Sequence, residues 1–375
     1  MSELHLAVAL DGAGWHPAAW REPGARPAEL FTARHWAGLV TEAEAGLLDF
    51  VTFEDALALQ SSSATAPDAR TDQVRGRLDA VLTAARVAPL TRHIGLVPSV
   101  TATHTEPFHV SRAIATLDYV SRGRAGLRVQ TSSLPYEAAH FGRRTFPVPV
   151  GEPAGEAADH VEVVRRLWDS WEDDAEIRDV ATGRFLDRDR LHPIDFTGPH
   201  FSVRGPSITP RPPQGQPLVT ASAGAVAPRP GSVDLVYVTP RDGDEARAAA
   251  SSVPGTAHVF GDLTVFLEED GPAAAARRER LDAVAGQPAP ADAAVFTGTP
   301  EALAGLLLDW REAGLTGFRL RPAVLARDLP LITRRLVPEL QRRGAFRTAY
   351  GAPTLRGLLG LERPANRYAA PAATA

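Results

Sequence analysis

Residues 94–132 read IGLVPSVTATHTEPFHVSRAIATLDYVSRGRAGLRVQTS. The apolar run at 94–97 is strand-sized, and a hydroxyl-rich loop at 99–106 follows it. Pro107 is well placed in the first turn of a helix running to Val120. Residues 126–129 form a second strand, and polar residues again follow at once, as Gln130-Thr131-Ser132. Strand, polar loop, helix and strand in this order are the pattern of a parallel α/β unit.

Outward from this stretch the unit recurs. Residues 4–10 alternate as a first strand, and Thr32 reads as the N-cap of a helix to about Leu47. Residues 50–53 are a strand that ends on Glu54-Asp55, and a polar loop at 61–71 leads to a helix around 78–85. Strands resume at 218–220, 235–238, 259–267 and 317–320, with helices at 300–313 and 329–344. Repeat number and length favour a (β/α)₈ TIM barrel over an open doubly wound sheet. No Gly-x-Gly-x-x-Gly follows the first strand, which counts against a dinucleotide-binding unit. The expected organisation is a single barrel domain over 1–375. It carries insertions at about 133–155 and 172–216, and an extended C-terminal tail over 346–375.

Composition excludes whole mechanisms. With 44% hydrophobic and 23% charged residues the chain can bury a sizeable core. Its net charge of −5 gives no footprint for nucleic acid. There is no Cys, so thiolate nucleophiles, disulfides, Fe–S clusters and zinc-thiolate sites are excluded. There is no Lys, which excludes Schiff-base chemistry and a P-loop lysine. Asn occurs only as Asn366, so site amides must come from Gln. The histidines show no metal-ligand spacing. No signal peptide is visible at the start, and apolar runs fall far short of the roughly 20 residues that span a bilayer. Cytoplasm is therefore the default location, with no membrane partner.

Three groups of motifs carry a resemblance. The first is Thr103-His104-Thr105-Glu106-Pro107-Phe108-His109, with Ala115-Thr116-Leu117-Asp118 and Ser121-Arg122-Gly123-Arg124-Ala125-Gly126 after it. The second is Leu167-Trp168-Asp169-Ser170-Trp171, followed by Gly198-Pro199-His200-Phe201 and Pro210-Arg211-Pro212-Pro213-Gln214-Gly215. The third is Val337-Pro338-Glu339-Leu340, Thr354-Leu355-Arg356 and Arg363-Pro364-Ala365-Asn366-Arg367-Tyr368. Together they resemble the bacterial luciferase-like, flavin-dependent monooxygenase superfamily, in the branch of the nitrilotriacetate and dibenzothiophene-sulfone monooxygenases. The resemblance is thin only over about 221–294.

What it implies is a barrel that binds reduced FMN, FMNH₂, at the C-terminal ends of its strands. A separate flavin reductase supplies the FMNH₂, with O₂ as co-substrate. A flavin C4a-(hydro)peroxide then inserts one oxygen atom into an organic small molecule, so the cofactor carries the hard chemistry. Homodimers are common in the resembling family and are the expectation here. Two other readings stay open: a degenerate barrel serving as a binding or heterodimer subunit, and an oxidoreductase using F420.

The resemblance assigns candidate residues. Asp55 matches an acidic residue near the flavin, and can equally be a cap or ion-pair partner. Ser99, Thr101 and Thr103 lie where the family sets a hydroxyl against the isoalloxazine, and Thr101 is preferred. Arg128 stands where the family has Asn, with Gln130 beside it. Arg128 can bond a ring carbonyl, fill the flavin site or pair with Asp55. His104 is the candidate acid–base catalyst, and can equally be a packed or exposed loop histidine. At the phosphate end the usual Tyr is missing from 152–156 and the Ser turn is displaced. Ser222 and the backbone around Gly224 can still form an anion nest, with Arg143 or Arg144 adding charge. The segment between Arg280 and Thr297 is shorter than in the family.

Overall fold

The computed structural model describes residues 4–63, 65–253 and 255–369. Its main sheet has nine strands, all paired in parallel. They are β1 (His5–Leu10), β2 (Phe50–Phe53), β3 (Gly95–Thr101), β4 (Gly126–Gln130), β5 (Leu218–Ser222), β6 (Leu235–Val238), β7 (His258–Leu267), β8 (Ala294–Gly298) and β9 (Gly317–Pro322). Eight of them close on themselves: β1 to β7 pair in succession, β7 pairs with β9, and β9 returns to β1. The barrel expected from the sequence is the barrel observed.

β8 is the exception, and the sequence did not suggest it. It lies outside the ring. Besides β9, β7 is long enough to serve two further neighbours in succession, because His258–Gly261 pair with β6 whereas Leu263–Leu267 pair with β8. The short segment after Arg280 therefore still contains a strand.

The helices start as their capping residues dictate. The Thr32 hydroxyl accepts from the His35 N–H at the head of α1 (Ala33–Ala45). Asp79 does the same for Leu82 in α2 (Ala80–Val87), and Pro107 opens α3 (Pro107–Ser121). The five-residue α4 (Pro135–Ala139) follows β4, and α5 (Glu152–Asp169) buries Val161, Val164 and Trp168 in the main core and Leu167 against Ile194 of the insertion. No helix joins β5 to β6, where Pro228, Pro230 and Gly231 break the chain. Residues 172–216 carry two small antiparallel pairs, Glu176–Asp179 with Arg184–Leu186 and Phe196–Thr197 with Ser202–Val203.

The barrel interior has two layers. The lower one is apolar: Ala7, Phe50, Val97, Leu218, Leu235 and Phe260, joined by Leu355 and Leu359 from the chain's end. That end is not simply extended. A short helix, Leu355–Leu358, is capped by Thr354 and seats Leu355 in the foot of the barrel. Room for it comes from glycines at the strand starts. A Cβ on Gly95 would lie 2.6 Å from Leu355 Cδ1, and one on Gly126 would lie 2.9 Å from Val97 Cγ2. The upper layer is ionic, and it sits under the mouth. Among the described residues no helix is long and apolar enough to cross a membrane, and no group of His, Asp or Glu is arranged to hold a metal ion.

Candidate active site at the barrel mouth

Strand alternation decides what faces the upper interior. In β2 the side chains of Thr52 and Glu54 share one face, and Phe53 points the other way to pack near Trp36. In β9, Arg319 and Arg321 share a face by the same rule. Arg128 from β4 completes the set.

Arg128 is the hub. Its Nη1 donates to Glu54 Oε2 at 3.0 Å, Ser99 Oγ at 3.1 Å and Gln130 Oε1 at 3.1 Å. Its Nη2 reaches Ser222 Oγ at 3.4 Å. Gln130 Nε2 donates to Thr101 Oγ1 at 3.0 Å and to the Asp55 carbonyl at 2.7 Å. Six of the residues singled out from the sequence thus converge: Asp55, Ser99, Thr101, Arg128, Gln130 and Ser222.

The pairing of Arg128 differs from one expectation. Its partner is Glu54, not the Asp55 carboxylate. Asp55 instead accepts from the N–H groups of Ala56 at 2.8 Å and Ala80 at 3.0 Å, tying β2 to α2. Burial raises the Asp55 carboxyl above its ordinary range, and those N–H groups oppose the rise.

Glu54, Asp262, Arg319 and Arg321 were not singled out from the sequence. Arg319 Nε donates to Asp262 Oδ1 at 2.7 Å, and its Nη1 to Glu54 Oε1 at 3.0 Å. Arg321 shares Asp262 and reaches Asp292 at 2.6 Å. Tyr237 lies beneath, its ring 4.2 Å from the Arg319 guanidinium carbon. Burial alone would raise both carboxyls. The arginines outweigh it: Arg128 and Arg319 bring Glu54 below its ordinary value, and Arg319 and Arg321 hold Asp262 at about 2. The signal was available as polar residues at alternate positions of strands that must be buried on both faces.

His104 lies apart from this network. It ends a single 3₁₀ turn, Ala102–His104, and its ring stacks on Phe141 with centroids 5.1 Å apart. Its Nε2 is buried with no hydrogen-bond partner among the described residues. Burial lowers its pKa, and Arg144 adds to the lowering, so the ring is neutral near pH 7. Thr103 is also structural here, its hydroxyl accepting from the Ser132 N–H at 3.0 Å.

Beside the network, the loops after β1, β2 and β4 enclose a cavity of about 320 Å³. Its walls include Trp15, Leu134, Tyr136, Asp11, Arg77 and Glu137. On the far side, Ser222 and Gly224 form a turn closed by the Ala225 N–H on the Ser222 carbonyl at 3.0 Å. Gly224 has φ +80°, and the turn borders a second groove of about 370 Å³.

The chain matches the model of the family described as luciferase-like monooxygenase over residues 14–261. It belongs to the luciferase-like monooxygenase family. By that membership it is an enzyme, a flavin-dependent monooxygenase. It is 31% identical to nitrilotriacetate monooxygenase component A of Aminobacter aminovorans, covering 98% of this chain and 99% of that one. It is 30% identical to N-acetyl-S-(2-succino)cysteine monooxygenase of Bacillus subtilis (strain 168), covering 98% of each. That alignment spans 443 positions against 375 residues here, so the relative carries stretches this chain lacks. Among solved structures, EDTA monooxygenase (EmoA) from Chelativorans sp. BNC1 shares the fold. It superposes with a TM-score of 0.81 at 20% identity, covering 96% of this chain and 99% of that one.

The donor set at the mouth fits a flavin ring. Two hydroxyls, an amide and a guanidinium sit on adjacent strand ends, and the buried Arg128 Nε has no partner among the described residues. The phosphate end is less well provided. Arg144 is bidentate to Glu156 at 2.6 Å, Arg143 pairs with Glu106, and Arg229 pairs with Asp159 at 2.7 Å.

Proposed function

We propose that this protein is the oxygenating component of a two-component monooxygenase. It would take FMNH₂ from a separate reductase and use O₂ to oxygenate an organic small molecule. The observation that carries this reading is the hydrogen-bonded convergence of Ser99, Thr101, Arg128 and Gln130 at the C-terminal ends of β3 and β4. The active sites of such barrels lie at that end.

Bound reduced flavin would activate O₂ and give up two electrons, so that one oxygen atom of O₂ enters the substrate and the other leaves as water. The chain does the rest. Ser99, Thr101 and Gln130 orient the ring through hydroxyl and amide contacts, with Asp55 fixing the loop that carries Gln130's acceptor. Arg128 sets a permanent positive charge against the ring carbonyls, and Glu54 and Arg319 keep its guanidinium from turning. The Ser222–Gly224 turn takes the phosphate end. The loops after β1, β2 and β4 exclude water from the substrate cavity. His104, buried against Phe141 with an unpartnered Nε2 among the described residues, can accept or hold a proton there.

Anaerobic titration of the purified protein with FMN and FMNH₂, followed by flavin absorbance and fluorescence, tests this. FMNH₂ should bind in the micromolar range. No binding of either form at high micromolar flavin would refute it. The second reading, a barrel that has given up flavin and serves as a binding subunit, would then take its place. It rests on one observation: both Nη atoms of Arg128 already have partners within the protein.

A further inference from the structure

The 320 Å³ mouth cavity is lined by polar groups that are nearly all committed. Asp11 and Arg77 pair at 3.0 Å. His16 Nε2 meets Asp282 at 3.1 Å, and its Nδ1 accepts from the Ala18 N–H. Both ends of the Gln60 amide are spent on the Gly76 backbone, at 3.0 and 2.9 Å. Gln73 is bonded to Ser62, and Ser61 to the Ala66 carbonyl.

Glu137 is different. It sits in α4, lines the cavity and is only 4% exposed. Its carboxylate has no hydrogen bond and no ion pair with any described residue. A carboxylate on a side chain this buried, with no protein donor, is costly to the fold, and its oxygens still open onto the cavity. A built cavity that keeps one is arranged for a donor that arrives from outside. The lining charges agree: Asp11 and Arg77 cancel, so Glu137 leaves the cavity with one net negative charge. Tyr136 stands next to it as an aromatic wall, and the Trp15 ring lines the opposite loop with Arg321 already on it, 5.1 Å away.

We propose that this cavity takes an organic cation, a substrate whose protonated amine docks on Glu137 with its apolar body against Tyr136, Trp15 and Leu134. This rests on the reading of the cavity as the substrate site. It names the chemical class that the site admits. A carboxylate of the same size would meet a like charge, and Arg77, the one arginine among the described lining residues, is already held by Asp11.

Three size-matched probes test it in the absence of flavin: phenethylamine, 2-phenylethanol and 3-phenylpropanoate. Binding to the full-length protein is read by calorimetry and by tryptophan fluorescence. The amine should bind at least tenfold more tightly than the carboxylate, with the alcohol between them. Glu137→Gln should abolish the amine's advantage while alcohol binding stays within twofold. Equal or tighter binding of the carboxylate by the wild-type protein would overturn the proposal, whether or not the variant folds. So would an unchanged amine preference in Glu137→Gln, or no binding of any probe. Flavin titration is a separate experiment, so failure here with flavin bound normally refutes only the substrate class.

Discussion

At the foot of the barrel Asp49 sits between His5 and Arg347, and at the mouth Glu54 sits between Arg128 and Arg319. Both are buried carboxylates flanked by basic side chains, and burial alone would raise both. Their partners bring both below their ordinary values. The foot is complete. Asp49 Oδ1 takes His5 and Arg347, Oδ2 takes the Leu6 N–H at 2.7 Å, and the neighbouring His258 is bonded to the Leu359 carbonyl at 2.8 Å. Asp49, just before β2, and His258, at the start of β7, thus hold His5 and Leu6 of the first strand and Arg347 and Leu359 of the last segment, so the cluster ties the chain's ends to the barrel. The mouth is incomplete. Arg128 Nε lacks a partner among the described residues, and Asp55, Gln130 and Ser222 are only half-buried. The same chemistry at opposite ends therefore serves the fold at one and leaves hydrogen-bonding capacity open to a ligand at the other.

The largest expected effect breaks the foot. Asp49→Ala removes the buried carboxylate that Arg347 and His5 share, which should cost about 3–5 kcal/mol in urea unfolding. The fraction that remains folded should bind FMNH₂ with unchanged affinity. A loss below 1 kcal/mol would show that the two clusters do not differ in the way described.

The converse experiment is Arg128→Ala. Glu54 keeps Arg319 and the Thr52 hydroxyl, bonded at 3.0 and 2.8 Å, so the stability loss should be smaller, about 1–3 kcal/mol. FMNH₂ affinity should fall at least tenfold, measured anaerobically. A gain in affinity would mean that Arg128 blocks the ring instead of holding it.

Acid titration sharpens the comparison from the side of charge. Asp262 sits at about 2 in the fold and near 4 when unfolded. A lowered carboxyl stabilises the fold above its unfolded value and loses that contribution as pH falls through its folded value. The window is therefore pH 4 down to about 2, and about 2 kcal/mol should be lost across it. Urea midpoints at pH 5 and pH 2.5 measure the change, and Asp262→Asn should flatten that part of the profile.

What the sequence made legible follows from the periodicity of each element. Strand ends showed because polar residues cluster immediately after short apolar runs, and Pro107 and Thr32 marked helix starts through backbone chemistry that is local. Glu54 was passed over for Asp55 although both close the same strand. Counting from Thr52 with period two puts Glu54 inside, and that count needs the knowledge that this strand is buried on both faces. β8 was missed for a different reason. Its residues are half-exposed and bounded by Pro290 and Pro300, so neither a buried run nor a clean alternation appears. The foot plug was illegible because the meaning of Gly95 and Gly126 lies in Leu355, more than two hundred residues away.

The smallest expected effect discriminates most finely at the mouth. Ser222 touches Arg128 at 3.4 Å, the long limit of a hydrogen bond, and belongs to the turn assigned to the phosphate. If the turn holds the phosphate strongly, Ser222→Ala should weaken FMNH₂ and leave reduced riboflavin untouched. The ion pairs nearby argue otherwise. Arg143, Arg144 and Arg229 are neutralised by Glu106, Glu156 and Asp159, so little free positive charge faces the turn. The expected outcome is a loss of less than twofold for both ligands. The wild-type protein should likewise favour FMNH₂ over reduced riboflavin by less than tenfold. A selective loss for FMNH₂ would place a strong phosphate contact at Ser222. The paired arginines would then have to part when the ligand arrives, and the mouth would differ from the foot in mobility as well as in completeness.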